Sequence, residues 1–421
     1  MRHFHYQNGQ MMAENVPLTT IADAVGTPAY VYSSATLKRH YEVFEQGLSG
    51  MDSLIAYSVK ANSNIAVLAV LAKLGAGADV VSGGELVRAL KAGIPANKIV
   101  FSGVGKTRDE MRAALEAGIY QFNVESLPEL HALNECAVAI KTKARIAFRI
   151  NPDISAGGHA KISTGKAENK FGIDITTAID AYAEAAQLPG ILVAGIDMHI
   201  GSQIVELAPF AAAIDKGLEL IKNLRAEGHD ISNFDIGGGL GIPYVEDADA
   251  PPLPIEYGRM IAEKVQGHNL KMIFEPGRMI AGNAGILLSK VEYVKTGGAR
   301  KFLIIDAAMN DLIRPALYNA HHDIEPVAQR NSDGITTPCD VVGPVCETGD
   351  TFTEQRDLPD MQAGDLLVIH SAGAYGAVQS SQYNTRPLIP EVLVSGDQFK
   401  VVRERPKVED ILKTENIPDW V

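Results

Sequence analysis

From about residue 54 one pattern recurs: a short apolar run ending in polar residues or glycine, a helix-like stretch, then a glycine. "LIAYSV" leads to Lys60, and "SNIAVLAVLAKLG" follows, with Ser63 as candidate N-cap and Gly75 as stop. "ADVV" precedes "GGELVRALKAG", which stops at Gly93. "KIVFSG" precedes "TRDEMRAALEAG", where Thr107 and Glu110 make a capping box and Gly118 closes the helix. "YQFNV" precedes "SLPELHALNE", with Ser126 and Glu129 spaced the same way. Four more strand-like runs follow: "RIAFRI" (145–150), "LVAGIDMHI" (192–200), "FDIGGG" (234–239) and "MIFEPG" (272–277). Strands alternating with helices pair in parallel, because parallel neighbours need a crossover. A count of eight favours a closed (β/α)8 barrel of the TIM type over an open doubly wound sheet.

Past residue 282 the texture changes. "GILLSKVEYVKT", "KFLIIDAA", "PCDVVGPV" and "DLLVIHSAG" are strand-like, with short connections rich in Gly, Pro and Asp. They predict a C-terminal antiparallel β domain, and "TPAYVYS" near the start reads as an N-terminal strand that joins it. The expected division is a barrel over 33–281 and a β-rich domain from 1–32 and 282–421, in keeping with 421 residues being too many for one ordinary core. "VEDADAPPLP" (245–254) reads as an exposed loop.

A net charge of −13 disfavours binding to a phosphate backbone, so no nucleic-acid partner is expected. The longest apolar runs, such as Ile65–Ala72, are too short for a membrane span. "MRHFHYQNGQ" has no signal-peptide core. Cys136, Cys339 and Cys346 are odd in number and form no C-x-x-C pair, which points to a reducing cytoplasm.

In such a barrel the C-terminal strand ends carry the chemistry. Here they read Lys60, Asp79, Arg149 to Asn151, His199, Gly237-Gly238-Gly239 and Glu275-Pro276-Gly277-Arg278. A lysine delivered to a partly desolvated mouth can form a Schiff base, though a solvated surface lysine is the plainer alternative. The glycines of "DIGGGLGIPY" (235–244) let backbone N–H groups approach an anion, or simply make a turn. "FEPGR" sets Glu275 and Arg278 three apart, as a local ion pair or as a ring-facing carboxylate with an anion-facing guanidinium. His199 has no second histidine at metal-ligand spacing, and the adjacent histidines of "AHHDI" (320–324) would face opposite sides of an extended chain, so no metal is expected. Lysine, phosphate cradle, stacking histidine and ring-facing carboxylate together suggest pyridoxal 5′-phosphate (PLP), whose protonated ring is an electron sink.

"YSVKAN", "HIGSQ", "DIGGGLGIPY", "EPGR", "GPVCETGD" and "GAYG" occur in the order seen in PLP-dependent decarboxylases of the alanine racemase-like fold, and the chain resembles that family from "GTPAYVYS" (26–33) to "YNTRPLIPEVLV" (383–394). "NPDISAGGHAKISTGKAENKFGI" (151–173) and "LIRPALYNAHHDI" (312–324) are most similar to the subgroup that converts meso-diaminopimelate to L-lysine. The resemblance implies Lys60 as the Schiff-base lysine, His199 stacked on the ring, and Glu275 at the ring nitrogen. It implies Ser202, Gly237, Gly238, Gly239, Gly277 and Arg278 around the phosphate, with Tyr375 helping and Asp79 near the cofactor. For substrate it implies Arg278, Arg314, Tyr318, Glu347 and Tyr375. It further implies a homodimer in which Cys346 and Glu347 come from the neighbouring subunit. Asn319 stands where relatives often carry Asp, a departure expected to matter little.

A substrate ending in a second amino-acid centre needs receptors for both a carboxylate and an ammonium. Arg278, Arg314 and Tyr318 suit the first, because a guanidinium holds a carboxylate by paired hydrogen bonds, and Glu347 suits the second. On the residues alone, Arg314 and Tyr318 also fit an ordinary helical turn at i, i+4. Cys346, whose ordinary pKa is about 8.5, can donate a proton to the carbon left by CO2. The competing readings are an ornithine, arginine or carboxynorspermidine decarboxylase, a racemase, a PLP-binding protein without turnover, and a metal-dependent barrel hydrolase. The last has only His199 and Asp79 to offer as ligands, and an inactive homologue is expected to have lost Lys60, Cys346 or Arg278.

Overall fold

The computed structural model describes residues 3–154, 170–245, 250–329 and 336–421. Most of the 151–173 stretch (155–169) and part of the 245–254 loop (246–249) lie outside the described residues. The chain divides into two compact units, Lys38–Pro243 with Asp249–Ile280, and Met1–Leu37 with Tyr244–Ala248 and Ala281–Val421.

The first unit closes a ring of eight parallel strands: β1 Ser53–Ser58, β2 Gly77–Val80, β3 Ile99–Phe101, β4 Gln121–Val124, β5 Ala144–Asn151, β6 Ile191–Asp197, β7 Asn233–Asp235 and β8 Lys271–Phe274. Each strand pairs in parallel with the next, and β8 returns to β1 through Met272↔Ser53, Ile273↔Leu54 and Phe274↔Ile55. The ring has no free edge, as a barrel requires. Helices Ile65–Lys73, Gly83–Lys91, Arg108–Ala117, Leu127–Ala139, Ala178–Ala186, Ala208–Ala226 and Pro254–Val265 lie between successive strands.

Local chemistry starts and stops these helices, with two departures from expectation. Thr107 and Glu110 form the full reciprocal box, and Gly118 ends that helix in the left-handed region (φ 71°). The first crossover helix is capped by Asn64 rather than Ser63, its side chain accepting the Ala66 amide at 2.9 Å. At the fourth, the Ser126 hydroxyl accepts the Glu129 amide, but the Glu129 carboxylate turns to the Glu125 amide and to the Lys106 ammonium (2.7 Å). A buried lysine outcompetes the cap's backbone N–H as a partner, because its charge would otherwise be unpaired.

The barrel interior is apolar in one layer, with Leu54, Ala56, Val100 and Ile273 packed together. It is polar in the next. Asn233 of β7 donates its amide to Gln121 of β4 at 2.9 Å, Gln121 donates to Asn123 at 2.9 Å, and Asn123 donates to Asp235 at 3.1 Å. Strands β4 and β7 are not neighbours, so these bonds cross the inside of the barrel.

In the second unit the sheet order is Thr351–Pro359, Thr336–Val342, Arg300–Ile305, Gly285–Gly297, Ala29–Ser33, Glu391–Ser395, Gln398–Arg403. The N-terminal strand Ala29–Ser33 is therefore inside the sheet, antiparallel to Gly285–Gly297 and parallel to Glu391–Ser395. That pair and Arg300–Ile305 with Thr336–Val342 are parallel, and the remaining ladders are antiparallel. A small meander, Phe4–Gln7, Gln10–Ala13 and Val16–Pro17, packs Phe4, Met11 and Val16 onto Val31, Ile286 and Val392.

Candidate active site

At the end of β1 the chain makes one 3-10 turn, Val59–Ala61, which lifts Lys60 out of the barrel wall. Its ammonium pairs with Asp79 Oδ2 at 2.7 Å; the Lys60 side chain is 36% exposed and that of Asp79 fully buried. Ser58 Oγ donates to the same oxygen at 2.7 Å. The loop beyond β8 leans on this turn: the Ser58 amide donates to Pro276 O, and a Cβ at Gly277 would fall 2.9 Å from both Ser58 Cβ and Ala61 Cβ. Only glycine permits that approach.

On the β6–β8 side, His199 lies two residues beyond β6 rather than at its end. The Gly238 amide donates to His199 Nδ1 at 3.2 Å, so the ring's own proton sits on Nε2. Burial, with the charges of Arg149 and Lys60, pushes the imidazole pKa well below its ordinary 6.5 and keeps it neutral. The glycine run is needed for packing as well as for any anion. A Cβ at Gly237 would lie 2.7 Å from His199 Nδ1, one at Gly238 2.3 Å from Glu275 O, and one at Gly239 2.6 Å from Gly201 O. Arg278 donates to Ser202 Oγ at 3.0 Å.

Glu275 is 5% exposed and accepts from Asn123 and from Ser102, each at 3.3 Å. Carboxylate oxygens of Asp197, Asp235 and Glu275 lie within 4.8 Å of one another. Burial and mutual repulsion raise all three pKa values, that of Asp235 to about 8. Neither acid beside Glu275 was expected to act, nor were Ser102 and Asn123. The available signal was Gln121 and Asn123 at i, i+2 in an otherwise apolar run, which puts both amides on one face of a strand.

The remaining predicted residues belong to the second unit. Arg314 and Tyr318 open and close a five-residue helix, with Asn319 as its left-handed C-cap (φ 51°), a conformation asparagine tolerates. Arg314 is buried, its guanidinium 4.8 Å from the Tyr244 ring centroid and 3.0 Å from His322 Nε2. The His322 ring also meets His370 O through Nδ1, while His321 turns to Asp323, so the two histidines diverge. Tyr318 OH accepts from Gln379 at 3.4 Å. Tyr375 holds a positive φ of 57°. "GPVCETGD" is wound around the buried Asp350 carboxylate, which accepts Met309 N at 2.6 Å and Val345 N at 2.7 Å. The tip of that turn presents Cys346 and Glu347 to solvent; Asn384 donates to Cys346 Sγ at 3.5 Å, and Tyr383 OH donates to Glu347.

Residues 34–282 match the family described as pyridoxal-dependent decarboxylase, pyridoxal binding domain. The chain is 51% identical over 419 residues to the diaminopimelate decarboxylase of Vibrio cholerae and 49% identical over 421 residues to that of Zymomonas mobilis, covering 99% of each chain in both cases. It is also similar to the solved structure of diaminopimelate decarboxylase from M. jannaschii in co-complex with L-lysine, with a TM-score of 0.94, 36% identity, and coverage of 99% of this chain and 98% of that one.

Proposed function

This chain belongs to the pyridoxal-dependent decarboxylase family, and from that premise we infer that it decarboxylates meso-2,6-diaminopimelate to L-lysine and CO2, the last step of lysine biosynthesis. The carrying observation is identity of about half over the full length to diaminopimelate decarboxylases, joined to a barrel whose mouth holds a lysine on a buried aspartate.

The donor set at that mouth fits PLP: an amine on Lys60, a neutral imidazole on His199, a deeply buried carboxyl on Glu275, and a hydroxyl and guanidinium on Ser202 and Arg278. Bound PLP supplies an electron-accepting ring for the charge left at the α-carbon as CO2 departs. Lys60 is the residue to hold its carbonyl carbon, with Asp79 fixing the amine. His199 would cover one ring face, and Glu275 would face the ring nitrogen. Gly237, Gly238, Gly239, Gly277, Ser202, Arg278 and Tyr375 would hold the phosphate.

For substrate, Arg278, Arg314 and Tyr318 receive the distal carboxylate, Glu347 the distal ammonium, and Tyr375 closes the set. Cys346 delivers the proton to the α-carbon. In this reading the protein is a cytoplasmic homodimer. Residues 33–281 hold the cofactor, 1–32 and 282–421 contribute to the substrate site, and Cys346 and Glu347 act in the partner's barrel. Exposure of Cys346 and Glu347 on the single chain, and three cysteines without a disulfide, support it. The deciding experiment is CO2 release from meso-diaminopimelate with ornithine and arginine as controls; release from either control alone would overturn the substrate assignment.

A further inference from the structure

The Asp197–Asp235–Glu275 cluster poses a charge problem. Three carboxylates lie within 4.8 Å, and the three residues are 2%, 0% and 5% exposed. Carboxylates this close and this dry cannot all ionise, because each negative charge opposes the next.

The neighbours decide where a proton stays. Both Asp235 oxygens already accept N–H groups, Oδ1 from Gly237 at 2.9 Å and Oδ2 from Asn123 at 3.1 Å, and these bonds favour its ionised form against the burial that raises its pKa. Glu275 accepts from Asn123 and Ser102 and feels two cations, Lys60 from the β1 loop and Arg149 from β5. Asp197 Oδ1 is buried with no hydrogen-bond partner among the described residues. Arg149 is the cation that reaches Asp197, and it is shared with Glu125 at 3.3 Å. Asp79 adds a further negative charge from β2, partly neutralised by Lys60. Tyr182 and Tyr257, buried on crossover helices, feel Asp197 and Asp235 and stay un-ionised phenols, and Ser102, just beyond β3, brings a hydroxyl to Glu275. His199, beyond β6, is neutral.

We propose that Asp197 is a resident neutral carboxylic acid, which lowers the negative charge packed against Glu275 and so lets Glu275 ionise against a cationic ring nitrogen. The consequence for the cofactor rests on Glu275 facing that nitrogen; the protonation of Asp197 does not. An amide is the isostere of a neutral acid. Asp197→Asn therefore removes a group whose protonated state the fold demands, without removing a charge. Asp197 has its folded pKa raised, so its contribution to stability falls as pH rises from the ordinary Asp range near about 4. The variant lacks that loss.

The test uses the full-length protein with and without PLP. Thermal melts should coincide for wild type and Asp197→Asn near about pH 4, and the variant should melt higher near about pH 8. The wild-type minus Asp197→Asn infrared difference spectrum near about pH 7 should contain a protonated-carboxyl stretch. A variant that melts lower at every pH, or a difference spectrum with no such stretch, overturns the assignment. A wild-type melt raised by divalent cations, and not in the variant, would mean three ionised ligands and overturns it too. Should Asp197→Asn fail to fold, Asp197→Ser supplies the infrared difference spectrum instead. Failure here leaves the decarboxylase reading intact, whereas absence of CO2 release leaves the infrared result intact.

Discussion

The Lys60 ammonium and the Ser58 hydroxyl meet on one oxygen, Asp79 Oδ2, each at 2.7 Å. Asp79 is buried on the second barrel strand, so the charge that holds the lysine is fixed by the wall itself. Asp79→Asn keeps the shape and removes the charge. A hydrogen bond to a charged group is worth about 1.5–3 kcal/mol, so turnover should fall by about 10- to 100-fold. Steady-state CO2 release checks this; wild-type rates would remove Asp79 from the machinery.

Lys60→Ala takes away the amine. The variant should lose both the yellow absorbance of bound cofactor and its turnover, read by spectrum and CO2 assay on the same preparation. Retained turnover is the outcome that sinks the PLP assignment.

Cys346→Ala should keep the cofactor absorbance and lose most of its turnover. Mixing inactive Lys60→Ala and Cys346→Ala chains should restore about a quarter of the sites, on random pairing in a symmetric dimer. No recovery, with subunit exchange verified by mass, would place Cys346 in its own chain's site.

The Cys346–Glu347 turn depends on Gly343. A Cβ there would stand 2.3 Å from Asp350 Oδ2, the oxygen that accepts Val345 N. Gly343→Ala should displace the Asp350 carboxylate from buried backbone donors, at about 1–3 kcal/mol each. The expected result is a lower melting temperature and reduced turnover with cofactor absorbance unchanged.

His199 gives the opposite pH signature to the acid cluster. Its folded pKa is depressed below 6.5 by burial and by Arg149 and Lys60. Stability from the neutral ring is complete above the unfolded value and is lost as pH falls through it. His199→Asn should therefore flatten the drop in melting temperature between about pH 7 and about pH 5. An unchanged acid slope would mean that the ring charges freely in place.

The order of elements was legible because each rests on neighbours in the chain. All eight barrel strands stand where the apolar runs are, Thr107 with Glu110 caps as spacing dictates, and Lys60 leaves its strand at the mouth. Errors of one or two residues, Asn64 for Ser63 and His199 beyond its strand, come from choices between adjacent polar groups that only local backbone geometry decides.

What the tertiary structure alone decided is which residues face one another across the closed ring. Asn123 and Asp235 are 112 positions apart and on non-adjacent strands, yet they are 3.1 Å apart inside the barrel. Spacing along a strand tells which face a side chain takes, but not what it meets there. Closure of the sheet brings buried acids into contact, and that proximity sets their protonation. Sequence by itself determined the supply of reactive groups at the strand ends. Their charges were set by the fold, because burial and mutual distance govern ionisation.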